Sequence, residues 1–465
     1  MTDLATLSAT EQARLVRTRR ASPVEVTAAV LKRIEAWEPR INAFAVLDGD
    51  RAMDAARAAQ APAMGEGPIG PLHGVPVTVK DMTAVAGLPT RRGSRLTDPA
   101  PAGHDSPVVA RLKGAGGIIL GKTTATEYGW TAVSSSPLTG HTHNPWKQGV
   151  TAGGSSSGAA ALAGAGCGAL HLGTDGAGSI RLPAHFCGAV GHKPTFGLVP
   201  YAPVTNNQSL SHAGPITRSV ADAALMLEVM AGLHPADHTT LPGGFRAADL
   251  GPPDLRGLRI AYSPDLGHAR VDPEVAATVR AAVTAFEEAG ARVEEVTPPW
   301  GPKGPGLERG LWGVAMLPFL ETDPARRAQQ DPGLVACLDE YAGMTLAEAI
   351  AGQGRRIAYA AEVGEWFASG WDLLVTPAAS VTAFEVGRQR PAHWPDHAWD
   401  WLVWAEFSYP FDLSHGPAVS VPCGRDGQGL PIGLQIAGPR CADALVLRAA
   451  GAFLEARPFR PGFAD

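Results

Sequence analysis

The chain has 465 residues, 45% hydrophobic and 18% charged, with a formal net charge of -6. That length allows one large α/β domain or two ordinary ones, and the apolar share is that of a folded globular protein. A mildly acidic chain without clustered Lys and Arg is not expected to bind nucleic acid or an anionic membrane, and no apolar run of about 18 residues offers a span. The cysteines (Cys167, Cys187, Cys337, Cys423, Cys441) are odd in number with no CxxC spacing, which reads as reduced, mostly buried thiols of a cytoplasmic protein. The opening MTDLATLSATEQ lacks the basic and apolar regions of a signal peptide, so export is not expected.

In chain order, Ser22-Pro23-Val24-Glu25 is a capping box with proline at the first helical position, and predicts a helix through VTAAVLKRIEAWEP closed by Pro39. INAFAVLD reads as a strand, Gly65 to Gly74 as a loop, and VPVTVK, ending at Lys80, as a strand. SPVVARLKGAG reads as a helix and GIILGK as a strand. A small-residue helix from about Ser155 to Cys167 precedes the strand LHLGTD. Later, GLRIAYSPD and ARVEEVTP read as strands on either side of the amphipathic helix VDPEVAATVRAAVTAFEEAG. This rhythm predicts an α/β fold, a large twisted mixed β-sheet flanked by helices on both faces. Residues 298–404 differ, being rich in Trp and Pro (Trp300, Trp312, Trp366, Trp371, Trp394, Trp399, Trp401, Trp404), as expected of an insertion packed over the functional end of the sheet. With no repeat and no low-complexity linker, residues 1–465 are expected to be one domain.

The stretch TAGGSSSGAAALAGAGCGALHLGTDGAGSIR, Thr151 to Arg181, carries the chemistry. It places Ser155 and Ser179 each after a glycine-rich turn, where the backbone can approach a ligand and turn its N–H groups inward. Lys80 ends an apolar alternation upstream. Two serines, a lysine and a ring of backbone donors suit acyl transfer. GGSSSG (Gly153–Gly158), GTDGAGSIRLPA (Gly173–Ala184) and CGAVGHKPTFG (Cys187–Gly197), with HGVPVTVKD before them and GPAVSVPCGRDGQGLPIGLQIAGP (Gly416–Pro439) late in the chain, resemble the amidase signature family. The core of that resemblance spans residues 70–235.

The resemblance implies a Ser–cisSer–Lys triad of Ser179, Ser155 and Lys80, with a cis peptide at Ser155. Lys80 would be the base, its pKa lowered by burial; Ser155 would relay the proton and later protonate the leaving nitrogen; Ser179 would be the nucleophile. The N–H groups of Gly176, Ala177, Gly178 and Ser179 are expected to converge on a tetrahedral oxyanion, although the family usually has glycine where this chain has Ala177. Asp175 and Arg181 would hydrogen-bond behind the nucleophile, and Ser156 and Thr174 would support the relay. The expected function is hydrolysis of a small to medium aryl or alkyl amide, with esters or carbamates accepted at the same serine, no cofactor and no metal. A homodimer is the oligomer the resemblance suggests.

Three other patterns compete. GGIILGKT (Gly116–Thr123) fits the P-loop pattern of nucleotide-binding proteins, but Ile118, Ile119 and Leu120 favour a strand where a phosphate cradle needs a loop. GSSSG (Gly154–Gly158) fits a nucleophile elbow centred on Ser156, which would need a preceding strand and one of His192, His212 or His415. The HTH at His141–His143 has no matched third metal ligand. Within the resemblance, the alternative is the glutamine-hydrolysing subunit of a tRNA-dependent amidotransferase. That subunit typically carries an aspartate in the segment written here SLSHAGP, and the late FDLSHGPA departs from its FNLTGxPA-like pattern at Asp412 and His415-Gly416.

Overall fold

The computed structural model describes residues 3–65, 69–203 and 207–462. Among them, eleven strands make one mixed sheet. In chain order these are β1 (Phe44–Leu47), β2 (Pro76–Lys80), β3 (Ile118–Thr123), β4 (Leu170–Asp175), β5 (Val190–Lys193), β6 (His212–Thr217), β7 (Arg259–Tyr262), β8 (Arg292–Glu295), β9 (Leu373–Pro377), β10 (Ala418–Arg425) and β11 (Pro431–Ala437). They lie in the order β1-β3-β2-β4-β6-β5-β10-β11-β9-β7-β8. β2 pairs in parallel with β3 and β4, and β7 with β8 and β9; the other pairings are antiparallel.

Strand alternation divides the core between the two faces. Leu373 and Val375 of β9 join one cluster, with Val77, Val79, Leu170 and Leu172, under the helices Pro107–Gly114, Val220–Met230, Pro273–Glu288 and Asp443–Ala456. Leu374 faces the opposite way, into a second cluster holding Trp130, Trp300, Trp312, Trp399, Trp401 and Trp404. Most of the tryptophans in 298–404 are therefore core. Beside β2, β3 and β4, the helix Ser157–Gly164 is wholly buried. Its small side chains allow this: a Cβ at Gly158 would press into the carbonyl oxygen of Ala43 and the backbone of Thr124.

One expectation is corrected, and the strand reading of GGIILGKT holds. The helix expected to close at Pro39 runs Pro23–Ile41, with Pro39 in its last turn; Asn42, left-handed at φ 50°, closes it. The P-loop pattern is β3, an interior strand with Gly121 against the backbone of β1 and Lys122 Nζ bonded to Asp81 at 2.8 Å. No loop is present there to surround a phosphate. Cys167, Cys187 and Cys337 are buried and Cys441 is exposed; all five thiols are free.

Candidate active site

Parallel pairing of β2 with β4 sets Val79 against Leu172, so Lys80 reaches the end of β4. Its Nζ lies 2.7 Å from Ser155 Oγ, 2.9 Å from Thr174 Oγ1 and 3.3 Å from the Thr174 carbonyl oxygen, all neutral partners. Lys80 is fully buried. Burial lowers its pKa from 10.5 to about 7, against a smaller opposing pull from Asp175. Lys122 one strand over is equally buried but ion-paired with Asp81, the arrangement of a structural lysine.

Ser155 follows a cis Gly154–Ser155 peptide. Ser156 stitches the two glycine-rich turns together: its N–H donates to the Ser179 carbonyl at 3.2 Å, and its Oγ donates to the Thr174 carbonyl at 3.2 Å while accepting from Thr174 N–H at 3.3 Å. Ser155, Thr174, Gly176 and Ser179 share one small cavity with Met82, Tyr128 and Trp312. Of the predicted site residues, Lys80, Ser155 and Ser179 thus come together from β2 and the two turns, with Thr174 and Ser156 beside them.

Asp175 and Arg181 sit behind the Ser179 turn as a fully buried ion pair. Arg181 donates to both Asp175 oxygens, at 2.9 and 3.0 Å, and also to Asp412, Gln435 and the Ser408 carbonyl. Burial disfavours charge on Asp175, but the adjacent Arg181 outweighs it and holds the carboxyl below its usual range. Asp175 further accepts the N–H groups of Gly178 at 2.5 Å and Ile180 at 3.0 Å. This corrects the expected oxyanion donors: the Gly178 N–H belongs to Asp175, and only those of Gly176, Ala177 and Ser179 have no partner among the described residues. Gly178 instead provides the turn, at φ +113°, where a Cβ would collide with Ser408 and Leu182. Ala177 is not left-handed, so its methyl group is accommodated.

The elbow pattern fails on geometry. Ser156 Oγ is committed to backbone, and none of the three histidines bonds to Ser155, Ser156 or Ser179: His192 bonds Asp443, His212 the Leu210 carbonyl, and His415 Arg356. His141 and His143 lie in short paired strands at the surface, and the described residues hold no group of three His, Cys, Asp or Glu suited to a metal.

Several residues here had no signal in the sequence. Tyr128, left-handed at φ 51°, and Gly129 line the cavity, Gly129 against Ser155. Trp130 follows them, and its carbonyl accepts the indole N–H groups of both Trp312 and Trp401, each at 2.9 Å. Ser408, Asp412 and Gln435 anchor Arg181 from more than 220 residues away. Of these, only Asp412 stood out in the sequence, as a departure from the FNLTGxPA-like pattern.

Comparison with known proteins places this geometry. A family model described as Amidase matches residues 25–304 and 338–447. The chain is 41% identical over 467 residues to an acylamidase of Rhodococcus erythropolis, covering 97% of this chain and 96% of that one. It is 36% identical over 497 residues, 99% of each chain, to a glutamyl-tRNA(Gln) amidotransferase subunit of Salinispora arenicola. The crystal structure of a bacterial aryl acylamidase of the amidase signature enzymes superposes with a TM-score of 0.89 at 28% identity, covering 97% of this chain and 96% of that one. A substrate complex of 6-aminohexanoate cyclic dimer hydrolase superposes at 0.90 and 28% identity over the whole of both chains. The chain belongs to the Amidase family, the amidase signature enzymes, in which a Ser–Ser–Lys triad is characteristic. It is an amidohydrolase acting on amides. No helix among the described residues is long and apolar enough to cross a membrane.

Proposed function

We propose that the protein is a stand-alone cytoplasmic amidase for small to medium aryl or alkyl amides, with esters or carbamates as secondary substrates. Its nucleophile is Ser179, its relay Ser155 and its base Lys80. The observation that carries this reading is the 2.7 Å contact between Ser155 Oγ and a fully buried lysine with only neutral partners, in the cavity that Ser179 shares. As the neutral amine, Lys80 takes the Ser155 proton while Ser155 takes that of Ser179. Ser179 Oγ attacks the amide carbon, and the oxyanion meets the N–H groups of Gly176, Ala177 and Ser179, each such donor worth about 3 kcal/mol in the transition state. Collapse breaks the C–N bond as Ser155 returns its proton to the leaving nitrogen, and water then hydrolyses the acyl-enzyme by the same relay. Asp175 and Arg181 shape the turn that presents these donors.

Covalent labelling with a fluorophosphonate, followed by intact mass and peptide mapping, tests the assignment. One adduct on Ser179 is expected, absent in Ser179→Ala and slowed about 10³-fold or more in Lys80→Ala. Label on Ser156 sinks the triad. Glutamine turnover alone, and only with added partner subunits, would favour the amidotransferase reading.

A further inference from the structure

Tyr128 and Gly129, which line the catalytic cavity, are preceded by a carboxylate that the mechanism does not use. Glu127 opens their short helical turn and is fully buried. Its oxygens are bonded to neutral donors: Oε1 accepts the Ser94 hydroxyl and Oε2 the Asp331 N–H, each at 2.6 Å. A carboxylate is costly to bury, and it persists where its hydrogen bonds hold something that the fold or the site needs.

The two donors come from different parts of the chain. Ser94 lies in the turn whose Arg92 carbonyl accepts the Tyr128 N–H at 2.8 Å, and Asp331 caps the helix Pro332–Tyr341. Beside the bridge sits Tyr128 with φ 51° and ψ 12°, a conformation that a residue other than glycine keeps only where its surroundings impose it. Gly129 comes next and stands against the relay: a Cβ there would lie 3.3 Å from Ser155 Oγ. The cavity bounded by these residues has a free volume of about 20 Å³, room for about one water. The position of the 128–129 backbone therefore decides how much water reaches Ser155 Oγ and the Lys80 Nζ that lies 2.7 Å from it.

We propose that Glu127 is a positioning residue: by bridging Ser94 and Asp331 it clamps Tyr128 and Gly129 against Ser155 and keeps water from the Lys80 amine. The proposal rests on the amidase mechanism above, in which Lys80 works as the neutral base. Lys80 feels the charge of Asp175, whereas Glu127 feels Asp331 and Arg95 and faces the Tyr128 phenol, so the link between Glu127 and Lys80 runs through geometry. Burial pushes the Glu127 carboxyl up to about 7, against the bonds from Ser94 and the Asp331 N–H. Protonation leaves the bridge in place, because one oxygen still accepts from Asp331 while the new O–H donates to Ser94 Oγ. Glutamine can make the same two bonds with its carbonyl and amide groups, and alanine can make neither.

The test follows the rate of Ser179 labelling by a fluorophosphonate from pH 5 to 9.5, which reads activation of the nucleophile without an amide substrate. The wild-type rate is expected to rise with a midpoint near 7. In Glu127→Ala water enters beside Ser155, the Lys80 ammonium is less disfavoured, and the midpoint is expected to rise by about one unit. Labelling then slows about tenfold at pH 6 and returns nearly to the wild-type rate at pH 9.5. Ser94→Ala, which removes one of the two bonds, is expected to move the midpoint the same way by less, and carries the test if Glu127→Ala does not fold. Glu127→Gln is expected to restore the wild-type midpoint. A loss of fold alone lowers the labelled fraction and leaves the midpoint where it was. An unmoved midpoint in both alanine variants overturns the proposal. A midpoint that moves down does so as well, since Glu127 would then act on Lys80 by its charge, and so does a Glu127→Gln profile that follows Glu127→Ala. Wild-type protein that takes no label at Ser179 removes the mechanism underneath, and that failure is read from the wild-type reaction alone.

Discussion

In the proposed mechanism Lys80 concentrates the chemistry, because the fold denies it a counter-ion. Its base form is the one that works, so kcat/KM is expected to rise with unit slope as pH passes about 7 and then level off, read from initial rates between pH 5 and 9.5. The same burial has a signature in stability. The unfolded lysine holds its proton up to about 10.4, whereas the folded one loses it above about 7, so between those values unfolding takes up a proton and stability rises with pH. Below about 7 the folded protein carries the full cost of a buried ammonium. Lys80→Met is therefore expected to be inactive yet favoured in Tm relative to wild type at pH 6.5, with the gap shrinking toward pH 10. A gap independent of pH would mean that Lys80 is not neutral in the folded enzyme. That Lys80, Ser155 and Ser179 come together was legible because their motifs are local in sequence. The Gly178 error has a local cause too: four small residues in a row look alike on paper, and only the turn decides which N–H bends back to Asp175.

At the scale of elements, the helix Ser157–Gly164 and the helix Leu346–Ala368 treat glycine in opposite ways. At Gly158 a methyl group has no room against Ala43 and Thr124, whereas Gly354 has no heavy atom within 4 Å of an added Cβ. Intrinsic propensity favours alanine over glycine at both places by about 1 kcal/mol. Gly354→Ala is therefore expected to raise stability by about 0.5–1 kcal/mol, and Gly158→Ala to lower it by about 1–3 kcal/mol or more through overpacking; urea midpoints check both. A stabilised Gly158→Ala would show that the helix can slide away from β1 and β3. The strands around these helices were readable from alternation, as in Val75, Val77, Val79 and Lys80. Pro39 misled, since whether a proline ends a helix or sits in its last turn depends on the carbonyls around it. The anchoring of Arg181 by Ser408, Asp412 and Gln435 was out of reach for another reason: contacts across more than 220 residues are set by the order of strands, which no single segment encodes.

The whole molecule is tied together by its sheet, in which β1–β6 fill one side and β7–β11 the other, joined where β5 pairs with β10. Without that pairing β5 and β10 would each become an open edge, and one core cluster draws on strands of both sides, from Val77 and Leu170 to Leu373 and Ile436. The chain is accordingly expected to unfold as one domain: tryptophan fluorescence, which reports largely on the 298–404 segment, and far-UV circular dichroism should share one urea midpoint. Two separated transitions would make that segment a unit of its own. β1–β4, β7 and β8 were read from the sequence, whereas β5, β6, β9, β10 and β11 were not; the strand order was not legible at all, because an apolar strand buried on both faces fits between many neighbours.

The carbonyl of Trp130, gripped by two indoles, has a historical consequence. Trp312 forms part of the cavity wall, and Trp401 does not. A carbonyl oxygen with two donors keeps one when the other is lost, so a lineage can exchange Trp312 for a smaller residue without stranding the backbone that carries Tyr128 and Gly129. The redundancy leaves the wall free to drift toward new substrates while the floor stays put. Closely related enzymes are expected to differ at position 312 more readily than at 401.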